Sequence, residues 1–369
     1  MAGDLHVALL ATLSRTLFLC IAKIASMCAQ PFDKSALIHQ SASPFKFLLA
    51  WDAFHFLEIS EHGYSREQLL AFFPLTPLLA RAVPLLDNLT SGVLVSNIAF
   101  IMSAVLLHRI GGRRYSEQTA YIATLLFILN PASIVYSGFY SESLFCLLFL
   151  AALELLSRGW RAAGALILGM CGLCRSNAVL FVVLVETRYM AAVLAPFIAF
   201  QAYSSLLIHR WTGRFVPLPY SYVQKKYWEQ GLFRFYTLKN IPNLLAGAAF
   251  VAFGVFVCLQ YCGPRKGAWL NYLRARSLKE WVLDPFSARS ASISTQLIAL
   301  VALQLLVVFA AIHWNMALRF ISYNPVLYWA GAMLVERYHH RVLCRAIVAF
   351  LVSYAVVYAI LFGAFYPPA

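Results

Sequence analysis

The segment VALLATLSRTLFLCIAKIASMC, Val7 to Cys28, is the first of several long apolar runs and sets the class of fold. A membrane-spanning helix needs about 20 mostly apolar residues, and this run lacks the small-residue cleavage site of a signal peptide. Of the 369 residues, 62% are hydrophobic and 12% are charged, and the mean hydropathy is +0.73. A soluble domain cannot bury that much apolar surface, so the sequence predicts an all-α polytopic membrane protein.

The net charge of +14 is concentrated in short stretches between the apolar runs. Four basic clusters lie at residues 108–114, 158–161, 265–279 and 337–345. Under the positive-inside rule these clusters mark the cytoplasmic side, and the loop at 262–292 is the largest of them. The chain contains no recognisable nucleic-acid-binding module, so we expect no nucleic-acid partner.

The alternation of apolar runs and basic clusters predicts one membrane domain, residues 1–369, with about ten or eleven spans. We place the spans at about 7–28, 91–107, 118–136, 143–157, 162–174, a short run after 177, 189–209, 243–261, 294–314, 325–335 and 346–363. This topology puts two long polar loops, 30–88 and 210–240, on the far side of the membrane. Shorter far-side pieces fall near 137–142, 175–177 and 315–324.

The segment WDAFHFLEISEHGYS, Trp51 to Ser65, contains two histidines, one aspartate and two glutamates within eleven residues. Read as a helix, Asp52, His55, Ile59 and His62 follow one another at offsets of 3, 4 and 3 and share one face. The aromatic residues on the other faces are typical of an amphipathic helix that lies in the membrane interface.

The same loop contains signals that end helices. We expect the interfacial helix to stop at Gly63–Tyr64. Downstream, Pro74 and Pro77 are each predicted to break a helix, because proline lacks an N–H and restricts the residue before it. The chain should then bend back towards the membrane.

Three explanations of this polar segment remain open. The charges can form a solvated face of a loop helix, or His55, Glu58 and His62 can bind a metal, although the H-E-x-x-H pattern is absent. In the third explanation, one carboxylate beside His55 acts as a general base on a hydroxyl group. The chain has no D-x-D sequence, so nothing in it predicts a catalytic metal or another cofactor.

Five blocks of sequence carry a resemblance to a known family. They are Trp51–Tyr64 with Ala71–Pro77, Asn130–Ser133 with Tyr140–Phe145, Arg175–Asn177, Tyr227–Asn243, and Arg319–Trp329. Together they closely resemble, in order and over nearly the whole chain, the GPI mannosyltransferase 2 (PIG-V) family.

The resemblance implies a GT-C type glycosyltransferase in the membrane of the endoplasmic reticulum, with its active site facing the lumen. Such an enzyme takes mannose from dolichyl-phosphate-mannose. It adds the mannose in α-1,6 linkage, with inversion, to the first mannose of the GPI-anchor precursor. The sequence leaves open whether an accessory membrane subunit is a partner.

The resemblance also implies roles for particular residues. Asp52 is expected to be the catalytic base, with His55 beside it to orient the carboxylate or bind phosphate or sugar. Nine further residues are expected to bind the substrates: Trp51, Tyr64, Glu142, Arg175, Asn177, Trp228, Arg234, Lys239 and Arg319. The basic ones among them suit the charge of a leaving phosphate.

A polytopic transporter of lipids or anions is the alternative function. A transporter more often has internal repeats and broken helices that meet at the middle of the membrane. The charges here gather on one side, beside a long loop, which favours chemistry at the membrane surface.

Overall fold

The computed structural model describes residues 2–33, 41–262 and 293–367, and helices are the regular secondary structure of these residues. The α-helices are α1 Ala2–Cys28, α2 Asp52–His62, α3 Leu75–Ala82, α4 Asn88–Gly112, α5 Glu117–Ile128, α6 Ser133–Ser137, α7 Glu142–Ser157, α8 Arg161–Cys171, α9 Thr187–Thr212, α10 Pro219–Trp228, α11 Ile241–Cys262, α12 Ile293–Ala311, α13 Ala317–Ile321, α14 Pro325–Tyr338 and α15 Val342–Gly363. Five 3₁₀ segments are described as well: Lys46–Leu48, Glu67–Ala71, Ser176–Leu184, Leu238–Asn240 and Trp314–Met316. The all-α prediction is confirmed.

Six helical stretches among the described residues are long and apolar enough to cross a membrane. They are Gly3–Cys28, Asn88–Gly112, Thr187–Thr212, Leu238–Gln260, Ser294–Ala311 and Val342–Gly363. The other predicted spans correspond to shorter helices, such as α5, α7 and α8, and to the 3₁₀ segment Ser176–Leu184. The predicted basic loop, 262–292, falls outside the described residues from position 263 onward.

The third predicted span is divided in two. Helix α5 ends at Ile128 instead of continuing to 136, because the chain turns at Asn130-Pro131. The Asn130 side chain stabilises this turn: its Nδ2 donates to the Phe127 carbonyl at 2.7 Å, and its Oδ1 accepts from the Ala132 N–H at 2.8 Å. The chain then forms the separate short helix α6.

The chain divides into two compact units, and the first comprises residues 1–150 and 328–368. In this unit α1 packs against α4 and α15. Gly363 lets α15 approach α1 closely, because any Cβ at this position would collide with the Ala22 carbonyl. At one end of α1, Arg109 pairs with Asp4 at 3.0 Å; beyond the other end, the Phe32 N–H donates to the Ala364 carbonyl.

The second unit comprises residues 151–327. Helix α8 packs against α9, and α11 packs against α12. The carboxylate of Glu186 pairs with Arg161 and with Arg188, which ties the first turn of α8 to the first turn of α9. The prediction that residues 1–369 form one domain stays a prediction.

The loop between α1 and α4 contains the expected helix, and its position in the membrane interface stays a prediction. Helix α2 spans Asp52–His62 and ends at Gly63, whose positive φ of 72° suits a residue without a side chain. The expectation for the prolines was wrong in one respect: Pro74 caps α3, and Pro77 lies in its first turn. A proline is tolerated there, because the first turn of a helix has no internal acceptor for that N–H.

We predict that Gly363→Ala destabilises the protein although alanine favours helices. The new methyl group would force α15 away from α1, and such overpacking typically costs about 1–3 kcal/mol. The loss should appear as a lower melting temperature in detergent. Gly112→Ala is the matched control, since a Cβ at Gly112 meets no neighbour, and it should leave the melting temperature unchanged or slightly raised. Equal melting temperatures for both variants would contradict the close approach.

Candidate active site

The start of α2 is strained. Trp51, the residue before the helix, has φ 54° and ψ −119°, a combination that non-glycine residues rarely adopt. Two contacts from distant parts of the first unit hold it: the Tyr140 hydroxyl donates to the Ala50 carbonyl at 3.1 Å, and the Trp51 indole N–H donates to the Phe365 carbonyl at 3.2 Å. Tertiary contacts therefore determine where α2 begins and which way Asp52 faces.

Asp52 and His55 lie one helical turn apart on α2. Asp52 is the first helical residue and is half-buried, and the positive end of the helix dipole favours its negative charge. The His55 ring stacks on Phe72, with ring centroids 4.5 Å apart. Burial lowers the pKa of His55, and the charge of Asp52 opposes this shift only in part. His55 is therefore mainly neutral at neutral pH.

The remaining charges of α2 have other partners. Glu58 pairs with Arg66 at 3.0 Å, lies 3.9 Å from the His62 ring nitrogen, and accepts the Ser65 hydroxyl at 3.3 Å. This side chain fastens the end of α2 to the following loop. Glu61 and His62 are exposed, as a solvated helix face requires. In the part of the chain that the structure describes, no three His, Cys, Asp or Glu side chains form a metal site.

Two predicted substrate-binding residues of this loop have structural contacts. The Trp51 indole is anchored on Phe365, as described above. The Tyr64 hydroxyl donates to the Phe72 carbonyl at 2.8 Å. This bond fixes the position of Phe72, on which the His55 ring stacks. Any contact of Trp51 or Tyr64 with a substrate would therefore use the faces and edges of their rings.

Glu142 belongs to the same unit and begins α7 with only 2% of its surface exposed. Tyr140 lies two residues before Glu142, and its hydroxyl donates to the Ala50 carbonyl. This hydrogen bond joins the turn that carries Glu142 to the start of α2. After Glu142, the Ser143 hydroxyl donates to the Tyr136 carbonyl at 2.5 Å. The structure thus connects two sequence-predicted site residues, Asp52 and Glu142, through one turn.

The basic candidates of the second unit differ in burial. Arg319, in α13, is only 5% exposed, and Arg175 is half-buried. Arg234 and Lys239 are exposed, and Lys239 lies 3.4 Å from the Glu229 carboxylate. A charge held away from water acts more strongly on a ligand, so burial favours the first two candidates.

The loop that carries Arg234 and Lys239 is fastened to the end of α12. The Phe233 N–H donates to the Ala310 carbonyl at 2.7 Å, and the Tyr236 hydroxyl donates to the Phe309 carbonyl at 2.6 Å. Trp228 precedes this loop as the last residue of α10; it is half-buried and its ring lies 6.0 Å from that of Tyr227.

Asn177 is the most informative candidate in the second unit. It lies in the 3₁₀ segment Ser176–Leu184 and is only 4% exposed. Neither Nδ2 nor Oδ1 of its side chain has a hydrogen-bond partner among the described residues. Buried amide groups are nearly always bonded, so these two atoms are suited to a polar ligand.

Sequence reasoning missed Arg15. This residue lies in the middle of α1 and is 2% exposed, and its guanidinium makes five hydrogen bonds to Ser14, Ile128, Ser133 and Ser137. The signal was present in the sequence, since a charged residue inside a membrane span is rare and usually functional.

The fold defines a multi-pass membrane protein, and each of its two units contains some of the polar residues expected at the active site. The profile of a protein family described as Mannosyltransferase (PIG-V) matches residues 6–194 and 182–369. The chain belongs to this mannosyltransferase family, and the resemblance seen in its sequence blocks is confirmed.

Curated relatives agree with the family. A mouse protein named GPI alpha-1,6-mannosyltransferase 2 is 30% identical, and the alignment covers 78% of this chain and 73% of the mouse protein. The human protein of the same name is 28% identical, with 78% and 72% covered. GPI mannosyltransferase 2 of Drosophila pseudoobscura is 26% identical, with 90% and 88% covered. No solved structure matches the chain.

We predict that His55 makes the stability of the protein depend on pH. Because the pKa of His55 is below its ordinary 6.5 in the fold, the unfolded chain binds the proton first as the pH falls. The free energy of unfolding should therefore decrease below about pH 6.5 and level off below the folded pKa. Melting temperatures between pH 5 and 8 in detergent measure this slope.

The matched controls are two histidine variants of the same helix. His55→Gln should flatten the slope, whereas His62→Gln, which changes an exposed residue, should keep the wild-type slope. An unchanged slope in His55→Gln would show that other groups cause it.

Proposed function

We propose that this protein transfers mannose from dolichyl-phosphate-mannose to the first mannose of the GPI-anchor precursor and forms an α-1,6 linkage with inversion. The match of the mannosyltransferase profile to residues 6–194 and 182–369 carries the proposal. The names of the relatives support the acceptor and the linkage. The lipid donor follows from the resemblance of the five sequence blocks.

A single displacement accounts for the stereochemistry. The acceptor's 6-hydroxyl oxygen attacks C1 of the β-linked mannosyl phosphate, an α-glycosidic bond forms, and the bond from C1 to the phosphate oxygen breaks. The hydroxyl proton passes to a general base, which we assign to the Asp52 carboxylate. Dolichyl phosphate leaves with the electron pair of the broken bond, so no acid is required.

His55 supports this base in its neutral form. Because burial lowers the pKa of His55, the ring at neutral pH offers one N–H donor and one acceptor nitrogen. Its stacking on Phe72 limits the orientations that the ring can adopt. We assign to His55 the role of orienting either the Asp52 carboxylate or the acceptor sugar.

Arginines of the second unit are the candidates for the leaving phosphate. Arg319 and Arg175 are favoured, because their burial keeps their charge from being screened by water. Arg234 and Lys239 are more exposed, and Glu229 already neutralises part of the charge of Lys239. These two suit a first contact with the phosphate of the arriving lipid.

Sugar hydroxyls need hydrogen-bonding groups and flat apolar faces. Asn177 supplies a buried amide with both polar atoms available among the described residues, and Glu142 supplies a buried carboxylate. Trp228 is half-buried and suits stacking against a sugar ring or the lipid boundary, as do the faces of Trp51 and Tyr64.

The proposed location is the membrane of the endoplasmic reticulum, with Asp52 on the lumenal side. The positive-inside rule supports this orientation. In the predicted topology the basic clusters at 108–114, 158–161 and 337–345 are cytoplasmic, and the loop that contains Asp52 is on the opposite side. An accessory membrane subunit remains a candidate partner.

We predict that Asp52→Asn abolishes most of the activity while the fold is kept. Loss of a general base typically costs about 10²–10⁴-fold in rate. In cells that lack GPI mannosyltransferase 2, wild type should restore GPI-anchored proteins. Asp52→Asn should instead accumulate the lipid intermediate with one mannose, measured by lipid profiling at matched expression.

Glu61→Gln is the matched control, because it removes an exposed carboxylate from the same helix. It should rescue as well as wild type. Full rescue by Asp52→Asn would remove Asp52 from the mechanism. Failure of correctly folded wild type to rescue, both alone and with the host's accessory subunits overexpressed, would contradict the proposed function.

We predict that Asn177→Leu separates binding from stability. If Asn177 only supported the fold, an apolar residue of similar size would cost little, because the amide has no partner among the described residues. The melting temperature should therefore stay the same or rise, while the KM for one of the two lipid substrates should increase. A variant with wild-type KM and kcat would exclude Asn177 from substrate binding.

A further inference from the structure

We propose that Arg15 is a positioning residue for the active site. It supports the turn between α5 and α7, and the Tyr140 hydroxyl in that turn supports the backbone before Asp52. This inference rests on the proposed function for its kinetic consequence. Its structural part concerns only the first unit and can be measured without any substrate.

The turn needs support because residues 130–141 are all buried, so their backbone groups must bond within the protein. Helix α5 has 12 residues, so at about 1.5 Å per residue it is roughly 18 Å long, shorter than the hydrocarbon core of about 30 Å. Its last carbonyl groups have no partner within the helix, and water is not available inside a bilayer. The backbone groups of the nonhelical residues 129–132 and 138–141 likewise lack the hydrogen bonds of a helix.

Arg15 meets this need from the neighbouring helix. It lies near the middle of the apolar stretch Gly3–Cys28. Its Nη1 donates to the Ser133 carbonyl at 2.5 Å and to the Ser137 hydroxyl at 3.2 Å. Its Nη2 donates to the Ile128 carbonyl at 3.0 Å and to the hydroxyls of Ser14 and Ser133. One side chain thus bonds the end of α5 and both ends of α6.

The charge of Arg15 is stabilised without a carboxylate among its hydrogen-bond partners. All five acceptors are carbonyl or hydroxyl oxygens, and the guanidinium carbon lies 3.9 Å from the centroid of the Phe100 ring. The attraction between a cation and an aromatic face is stronger when water is excluded. Both Nη atoms of the guanidinium are already engaged by these acceptors, so we assign to Arg15 the support of the turn.

The turn between α5 and α7 supports the start of α2. Past Ser137, whose carbonyl accepts from Asn97 at 3.0 Å, the chain reaches Tyr140. Ser96 donates to the carbonyl of Tyr140 at 3.3 Å, and the Tyr140 hydroxyl donates to Ala50, next to the strained Trp51. Strain of this kind persists only where surrounding contacts impose it. Arg15 and Tyr140 are therefore linked supports of the backbone that presents Asp52.

The test uses the purified full chain and three variants of unequal severity. Arg15→Met removes all the bonds, Arg15→Lys keeps the charge and loses the fork of donors, and Tyr140→Phe removes only the hydroxyl that reaches Ala50. Lys23→Met is the matched control, because it removes an exposed basic residue from the same helix.

Hydrogen exchange is the measurement that does not depend on activity. Tyr140→Phe and Arg15→Lys should speed exchange of the amides at 50–54 and 138–143, and Lys23→Met should not. In the mannosyl transfer assay the same two variants should lower kcat by up to about 10²-fold, the cost of a 1 Å misplacement, with little change in the KM for the donor. Arg15→Met should show the larger effects, or fail to fold.

The possible outcomes are distinct. Wild-type exchange at 50–54 in both Tyr140→Phe and Arg15→Lys would overturn the proposal, and so would a lower melting temperature accompanied by wild-type kcat. If wild type itself transfers no mannose, the proposed function fails, and the exchange rates alone decide whether Arg15 and Tyr140 hold the start of α2.

Discussion

The constraint on which the first unit depends is that backbone carbonyl and amide groups inside a bilayer must bond within the protein. Long helices such as α1 and α15 satisfy it by themselves. Helix α5 stops early at Ile128, and the turn that follows satisfies it through Arg15 and the Asn130 side chain. Irregular backbone, with Tyr140 and the first residue of α7, Glu142, is therefore buried in the protein.

The candidate site follows from this arrangement. The irregular turn between α5 and α7 brings the Tyr140 hydroxyl to the Ala50 carbonyl. The second anchor, from Trp51 to Phe365, comes from the far end of the chain. The strained backbone before Asp52 is thus stabilised by residues that are about 90 and 314 positions away in sequence.

The residues of α2 divide by role in a way that explains the density of charge in this segment. Glu58 holds the end of the helix to its loop through Arg66, Glu61 and His62 face solvent, and Asp52 and His55 lie at the partly buried start. The solvated-face explanation thus fits the last turn, whereas a general base at the first turn stays a prediction. Within the described residues, no group of three His, Cys, Asp or Glu side chains supports the metal explanation.

The sequence by itself determined the all-α membrane class, the position of α2 with its stop at Gly63, and the family, because these depend on hydropathy, local backbone preference and linear motifs. It misplaced the end of α5 and the role of Pro77, since both depend on which side chains lie opposite. Only the tertiary structure decided the strained backbone before α2, the support by Arg15 and the different burial of Arg319 and Lys239. Each of these is a contact between residues far apart in sequence, and hydropathy or periodicity carries no record of such contacts.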